Sequence, residues 1–223
     1  MNEIENLAHI LCKEDIDENR PCIFVKGLLT PNECKKILKS IETEHVAPSK
    51  SIKECYPGTR STFSRNMKEI ALLVSKRLKD WIPKTLDGGT FDGLREEFMF
   101  VRYYQNQSLL AHTDVRQSLV GDNEHTQSRI SLTIYLDDDY EGGELAFVDG
   151  ADPSADSMLY YAGGLKAVFD SYPDPKLVLR PKPGDAVIFY QNFPTYAHCV
   201  YPLKSGIKSI MRTDFMYTFN SSS

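Results

Sequence analysis

Ala111-His112-Thr113-Asp114 is the segment around which this chain is organised. Side chains two residues apart on an extended strand point to the same side, so His112 and Asp114 can direct an imidazole nitrogen and a carboxylate oxygen to one point. His198, on a distant part of the chain, would add a second imidazole. Two histidines and a carboxylate cover one face of an octahedron and leave three positions open, as a redox-active iron requires. These three residues, called the metal triad below, are therefore predicted to bind one metal ion.

A His-x-Asp triplet is a weak signal by itself, because a chain with 5 histidines and 31 acidic residues can contain one by chance. His9, His45 and His125 have no partner at metal-ligand spacing and are predicted to be surface or loop residues. Cys199 adjoins His198 but would point to the opposite side of a strand, which argues against a Cys–His nucleophile. The sequence also lacks a Gly-x-Ser-x-Gly elbow and a phosphate-binding Gly-x-x-x-x-Gly-Lys loop.

Length and composition predict one soluble globular domain. The chain has 223 residues, of which 41% are hydrophobic and 26% charged. A net charge of −5 without a dense Lys/Arg run argues against general nucleic-acid binding. No signal-peptide pattern and no apolar run of about 18 residues is present, so we expect no membrane span. The 5 cysteines include no Cys-x-x-Cys pair, which favours a reducing compartment and a cytoplasmic, possibly nuclear, location.

Two helices are predicted in the first 90 residues. Thr30-Pro31-Asn32-Glu33 has the features of a helix start: a capping hydroxyl, a proline in the first turn and a glutamate able to complete a capping box. From Met67 to Trp81, apolar residues recur at helical spacing, and Pro83 is predicted to end that helix. Residues 48–65, between the two helices, are rich in polar residues and are predicted to be a loop.

After Gly88-Gly89 the pattern changes to short strands separated by turns such as Lys182-Pro183-Gly184-Asp185. Two helices followed by many strands favour an antiparallel double-sheet barrel with the helices on one outer face. No linker divides the chain, so residues 1–223 are predicted to be a single domain, helical to about residue 90 and β over about 91–219. The long segment 148–176 is predicted to be an insertion that could act as a lid.

A series of short motifs makes the chain resemble a known family. Each motif is unspecific, but their order and spacing are similar to those of the Fe(II)/2-oxoglutarate-dependent oxygenase superfamily, specifically its prolyl 4-hydroxylase-like branch. The resemblance covers about residues 96–219, and Thr59-Arg60-Ser61 shows a weaker match. The motifs are Tyr103 to Asp114, Ser128 to Ser131, Tyr135 to Asp138, Glu141 to Glu144, Pro183 to Phe189, His198, and Gly206 to Lys208.

The resemblance implies roles for the matching residues. The metal triad would bind Fe(II), and Lys208, ten residues after His198, would bind the far carboxylate of the cosubstrate 2-oxoglutarate. Tyr103 and Ser131 would contribute hydroxyl groups, Ser131 standing where the branch usually has threonine. A buried carboxylate requires such a cation and hydrogen-bond donors, because an unpaired charge in an apolar barrel is costly.

Arg212 is a second candidate for the same carboxylate. It lies four residues beyond Lys208 on the same face of a strand, about 13 Å away at ~3.3 Å per residue, so both residues cannot bind one carboxylate. Other branches of the superfamily use an arginine in this role, whereas the spacing from His198 favours Lys208. The alternative for Arg212 is an ion pair with Asp214 or another inward-facing carboxylate.

The implied fold is mainly β, a double-stranded β-helix or jelly roll, and the implied enzyme is a dioxygenase. It would use Fe(II), 2-oxoglutarate, O₂ and ascorbate to hydroxylate a C–H bond, with release of succinate and CO₂. The leading substrate expectation is a prolyl, or other, residue of a peptide or protein. A small-molecule substrate is the first alternative, and Leu109, where the branch commonly has a second tyrosine, bears on that choice.

Two further alternatives remain at this point. A non-catalytic β-barrel could use the metal triad as a structural metal site. Nucleic-acid demethylation by the same chemistry is disfavoured, because that branch usually shows two arginines six residues apart after its last metal histidine, and Lys208 and Arg212 do not fit this pattern. The acidic net charge is also against it.

Overall fold

The structure, a computed structural model, describes residues 9–10, 22–42, 60–118, 125–149, 169–172 and 174–219. His45, most of the predicted loop over 48–65 and most of the predicted insertion over 148–176 lie outside these ranges. The described helices are α1 (Pro31–Ser40) and α2 (Lys68–Leu78), with a 3₁₀ turn at Pro194–Tyr196. Neither α-helix has the length and apolarity that crossing a membrane requires.

The described residues also form fifteen strands. In chain order these are β1 (His9–Ile10), β2 (Cys22–Val25), β3 (Ser61–Asn66), β4 (Thr85–Leu86), β5 (Gly89–Leu94), β6 (Glu97–Tyr103), β7 (Leu109–His112), β8 (Thr126–Tyr135), β9 (Tyr140–Gly142), β10 (Leu145–Phe147), β11 (Leu177–Leu179), β12 (Ala186–Tyr190), β13 (His198–Val200), β14 (Leu203–Gly206) and β15 (Lys208–Thr218).

These strands form a jelly roll of antiparallel sheets, which confirms the predicted double-stranded β-helix. The larger sheet has the order β1-β2-β12-β8-β15. On the far side of β15, β6 pairs with its first half and β5 pairs with its second half. Strand β3 then pairs with β6, and β4 pairs with β5. The smaller sheet has the order β11-β10-β13-β7, and β9 and β14 form a separate ribbon.

Strand β15 is the centre of the larger sheet and has both faces covered. Side chains alternate between the two faces of a strand, so Lys208, Ile210, Arg212 and Asp214 share one face. Ile210 and Arg212 line an interior cavity, which places this face inside the barrel. The intervening residues Ser209, Met211 and Thr213 are also buried, and Met211 belongs to the core that includes the buried sides of α1 and α2.

Helix α1 begins where the sequence predicts. The Thr30 hydroxyl accepts a hydrogen bond from the Glu33 N–H at 3.2 Å, and the Glu33 carboxylate accepts one from the Thr30 N–H at 2.7 Å. Glu33 also forms two 2.9 Å bonds with the Arg77 guanidinium of α2, which joins the two helices. Hydrogen bonding from Arg77, together with the capping bonds, lowers the pKa of Glu33 to about 2.

Two local predictions need correction. The second helix ends at Leu78 rather than near Pro83, because the chain turns there with the Trp81 N–H bonded to the Leu78 carbonyl. The end of the predicted loop is the strand β3, which pairs with β6 and stacks Phe63 on Phe100 at 5.0 Å between ring centroids. The region before residue 91 therefore supplies strands to the larger sheet as well as the two helices.

The predicted turn at residues 182–185 connects three parts of the core. Gly184 has φ +92°, its N–H donates to the Tyr135 carbonyl at 2.8 Å, and its own carbonyl accepts from the Leu29 N–H at 3.0 Å. The Asp185 carboxylate accepts hydrogen bonds from the Gly27 N–H at 2.9 Å and the Lys182 N–H at 2.8 Å. A single glycine thus permits the close approach of the α1 entry segment to the larger sheet.

We expect Gly184→Ala to lower the free energy of unfolding by more than about 2 kcal/mol, since the added methyl group would overlap the Leu29 carbonyl oxygen and φ is positive. Gly27→Ala is the matched control, because Gly27 has φ +64° but nothing within 4 Å of an added Cβ. Chemical denaturation of both variants measures the difference. Equal losses would contradict the steric explanation.

Candidate metal centre

The metal triad meets where two strands of the smaller sheet pair. His112 is the last residue of β7 and pairs with His198, the first residue of β13, with 4.4 Å between ring centroids. Asp114 lies two residues beyond β7, and its Oδ1 is 3.5 Å from His112 Nε2. Each residue offers one ligand atom, and these atoms lie within 4.8 Å of one another. The structure therefore brings together the three residues that the sequence predicted.

A backbone carbonyl orients each histidine of the triad. His112 Nδ1 lies 2.9 Å from the Leu110 carbonyl oxygen, and His198 Nδ1 lies 3.0 Å from that of Tyr196. With Nδ1 as the donor in these bonds, Nε2 carries the lone pair that a metal ion needs. Burial, followed by the nearby His112, lowers the pKa of His198 to about 4. This imidazole is therefore neutral, and able to act as a ligand, at neutral pH.

Both oxygens of the Asp114 carboxylate have a hydrogen-bond donor. The Ser131 hydroxyl donates to Oδ2 at 2.6 Å, and Arg212 Nη1 donates to Oδ1 at 3.1 Å. Burial tends to raise the pKa of Asp114, but the Arg212 charge holds it well below its usual range. Asp114 is therefore a charged carboxylate with a fixed orientation, although its side chain is only 5% exposed.

A buried polar network supports these two donors. Gln191 Nε2 donates to Ser131 Oγ at 3.0 Å and to Asp214 Oδ1 at 2.7 Å. Arg212 Nη2 is 3.5 Å from Asp214 Oδ1, so its guanidinium bridges two carboxylates. The inward-facing ion pair that the sequence suggested for Arg212 is present. Ser131 contacts Asp114 directly, which is a placement that the sequence did not indicate, and Gln191 was not foreseen at all.

Lys208 lies in an aromatic setting at the start of β15. It is 1% exposed, and its Nζ donates to the Gly143 carbonyl at 2.6 Å. The same nitrogen is 5.2 Å from the ring centroid of Tyr103 and 5.3 Å from that of Tyr135, which are cation–π distances. Burial lowers the pKa of Lys208 to about 7, although Glu144 and Asp137 partly oppose the shift.

A cavity beside the metal triad is lined by both sheets. Tyr103 and Arg212, two of the predicted cosubstrate residues, belong to its wall, and Lys208 packs against two of its aromatic rings. Arg60, which the sequence indicated only through a weak motif, also lines it. The remaining lining residues are mostly apolar or aromatic and come from distant strands: Val101, Leu109, Thr133, Tyr135, Leu145, Phe189, Val200 and Ile210.

Comparison with known protein families identifies the family to which this chain belongs. The model of the 2OG-Fe(II) oxygenase superfamily matches residues 98–216, a range that contains the metal triad and Lys208. The chain belongs to this superfamily. No curated protein sequence matches it. The match confirms the family that the sequence motifs resemble, and it supports Fe(II) as the metal and 2-oxoglutarate and O₂ as the cosubstrates.

Solved structures share the fold at low sequence identity. A viral collagen prolyl hydroxylase from Paramecium bursaria Chlorella virus-1, in complex with 2-oxoglutarate, is 18% identical with a TM-score of 0.56, covering 89% of this chain and 96% of that one. HygX from Streptomyces hygroscopicus, with nickel and 2-oxoglutarate, is 15% identical with a TM-score of 0.58, covering 94% and 87%. A Trichoplax adhaerens prolyl hydroxylase, in complex with a hypoxia inducible factor peptide, is 10% identical with a TM-score of 0.54, covering 89% and 83%.

The depressed pKa of Lys208 predicts a pH-dependent stability. Between about pH 7 and the ordinary pKa of lysine, the Lys208 amine is protonated in the unfolded chain and neutral in the folded protein. The free energy of unfolding should therefore rise with pH. Relative to Lys208→Met, the free energy of unfolding of the wild-type protein should rise by up to about 1.4 kcal/mol per pH unit between pH 7 and 9.

Urea titrations of metal-free protein across this pH range would measure the effect. The groups facing Lys208 are Tyr103, Tyr135, Glu144 and Asp137, and all of them stay in both proteins. Replacing the exposed Lys204 by Met is the matched control and should leave the pH profile unchanged. Parallel profiles for wild type and Lys208→Met would contradict a depressed pKa.

Proposed function

We propose that this chain is an Fe(II)- and 2-oxoglutarate-dependent dioxygenase that hydroxylates a C–H bond, with a prolyl or other residue of a peptide or protein as the leading substrate. The observation that carries the proposal is the triad of two imidazoles and one carboxylate at the wall of a largely apolar cavity, with Asp114 and His198 buried and His112 partly exposed. This donor set occupies one face of an octahedral metal and leaves three positions for other ligands.

The residues at the site fit Fe(II). His198 is neutral and Asp114 is charged at neutral pH, and each histidine presents Nε2 because a backbone carbonyl engages its Nδ1. When bound, Fe(II) would supply the O₂-dependent oxidation that couples conversion of 2-oxoglutarate to succinate and CO₂ with hydroxylation of a substrate C–H bond. Ascorbate would serve as an auxiliary reductant.

The contribution of the protein is orientation, charge balance and exclusion of water. Ser131 and Arg212 fix the Asp114 carboxylate, so that Oδ1 faces His112. The apolar walls of the cavity limit competing reactions with water. Lys208 and the Tyr103 hydroxyl are the proposed donors for the far carboxylate of 2-oxoglutarate.

Two substrate classes are supported to different degrees. Proteins of the same fold include prolyl hydroxylases, one of them in complex with a peptide, and these favour a peptide or protein substrate. HygX, also of this fold, binds hygromycin B with nickel and 2-oxoglutarate, which supports a small-molecule substrate as the second candidate. Leu109 favours the second candidate, because it presents an apolar side chain to the cavity at the place where the prolyl 4-hydroxylase-like branch commonly has a tyrosine.

The deciding experiment is a screen of peptides and metabolites with purified protein, Fe(II), 2-oxoglutarate and ascorbate. Succinate formation and a product mass increase of one oxygen would identify the substrate. His198→Ala should lose at least about 100-fold in succinate formation and should bind Fe(II) more weakly, because one of three ligands is gone. His125→Ala, a histidine outside the site, is the matched control. Full succinate production by His198→Ala would rule out the assigned metal site.

Different roles are proposed for the two inward-facing cations of β15. Lys208→Ala should weaken binding of 2-oxoglutarate by about two orders of magnitude and leave the metal affinity nearly unchanged, because a buried carboxylate loses a donor. Arg212→Ala should instead change the metal affinity, because Asp114 loses its charged partner. Titration of metal and of 2-oxoglutarate into both variants without O₂ measures the two effects. The reverse pattern would assign the far carboxylate to Arg212.

A further inference from the structure

Arg60, Tyr103 and Lys208 form a row across the larger sheet. Tyr103 of β6 pairs with Lys208 of β15, and Ser61 of β3 pairs with Arg102, so Arg60 is next to Tyr103 on the side opposite Lys208. Both Arg60 and Tyr103 line the cavity, and burial raises the pKa of Tyr103 while the nearby Arg60 charge opposes that rise. Lys208 Nζ is 5.2 Å from the centroid of the Tyr103 ring. The hydroxyl of Tyr103 therefore has a second cation within reach.

Arg60 has donor capacity that the described residues do not use. It lines the same cavity as the metal triad, and its Nε is buried without a hydrogen-bond partner. Within the described ranges of the chain, no carboxylate lies at ion-pair distance from it. Arg212, by contrast, bridges Asp114 and Asp214. An orphaned N–H on a cation beside a cavity is unfavourable, and an anionic ligand group would satisfy it.

The charges of the site assign that anionic group. A divalent metal, the Asp114 carboxylate and one carboxylate of 2-oxoglutarate sum to zero, and Arg212 is offset by Asp214. The far carboxylate of 2-oxoglutarate then needs one positive charge. Arg60 lines the cavity with an unpartnered Nε–H, whereas Lys208 Nζ already donates to the Gly143 carbonyl. The cation that balances the far carboxylate can thus be Arg60, with Lys208 as a further hydrogen-bond donor.

We propose that Arg60 binds the far carboxylate of 2-oxoglutarate together with the Tyr103 hydroxyl, so that the cosubstrate is held from the β3 side of the sheet as well as from β15. This inference rests on the proposed function. It differs from a site with Lys208 as the only cation, because the planar guanidinium can donate two hydrogen bonds to one carboxylate.

The test compares two oxo acids on Ni(II)-loaded protein by calorimetry. 2-Oxopentanoate keeps the chelating end of 2-oxoglutarate but has a methyl group in place of the far carboxylate. Arg60→Gln should weaken 2-oxoglutarate binding by about 30-fold and change 2-oxopentanoate binding by no more than about twofold, because only the first ligand has the carboxylate that loses its partner. Arg60→Lys should recover part of the loss.

Arg102→Gln is the matched control. Arg102 is adjacent to Tyr103 on β6 but faces the other way, with Nη2 bonded to the Ile41 carbonyl at 3.2 Å, so its replacement should affect neither ligand. Ni(II) affinity and the thermal unfolding midpoint of each variant establish that the fold and the metal site are intact.

The outcomes separate the inference from the proposed function. Equal weakening of both oxo acids by Arg60→Gln would indicate a structural role and overturn the inference. Unchanged binding of both would overturn it as well. A wild-type protein that binds Ni(II) but neither oxo acid would overturn the proposed function itself.

Discussion

The burial of the Asp114 charge is the constraint on which the rest of the site depends. A carboxylate in the interior of a barrel requires hydrogen-bond donors and positive charge, or its ionised form is lost. Ser131 and Arg212 supply both from the larger sheet, while Asp114 follows a strand of the smaller sheet. The interaction that keeps the Asp114 carboxylate charged therefore also joins the two sheets. The orientation of Asp114 and the link between the two sheets at the candidate metal centre depend on the same contacts.

Strand β15 separates two electrostatic tasks along its length. Arg212 lies beside the Asp114 carboxylate, and Lys208, four residues earlier on the same face, lies among aromatic rings near Tyr103. At about 3.3 Å per residue, the Cα atoms of the two residues are some 13 Å apart, and their charged groups have different partners. Burial without a carboxylate in direct contact lowers the pKa of Lys208, which is the kind of perturbation that functional sites show.

Features of this chain that depend on local sequence were predictable. The capping box of α1 involves residues three apart, and the two-residue spacing of His112 and Asp114 follows from strand geometry alone. The turn with Gly184 could be predicted for the same reason. Segments whose partners are distant in sequence were harder to predict. Residues 61–66 show no strand pattern, and they form β3 because they pair with the edge of β6.

The sequence by itself determined the fold class, the family and the three residues that meet at the metal centre, because these depend on spacing and motif order within the chain. Only the tertiary structure decided that the Ser131 hydroxyl donates a hydrogen bond to Asp114 and that Arg60 lies beside Tyr103. Both placements depend on the register between strands far apart in sequence, and a shift of one residue would reverse the facing of every side chain. Register is fixed by packing of the whole barrel, which no local segment encodes.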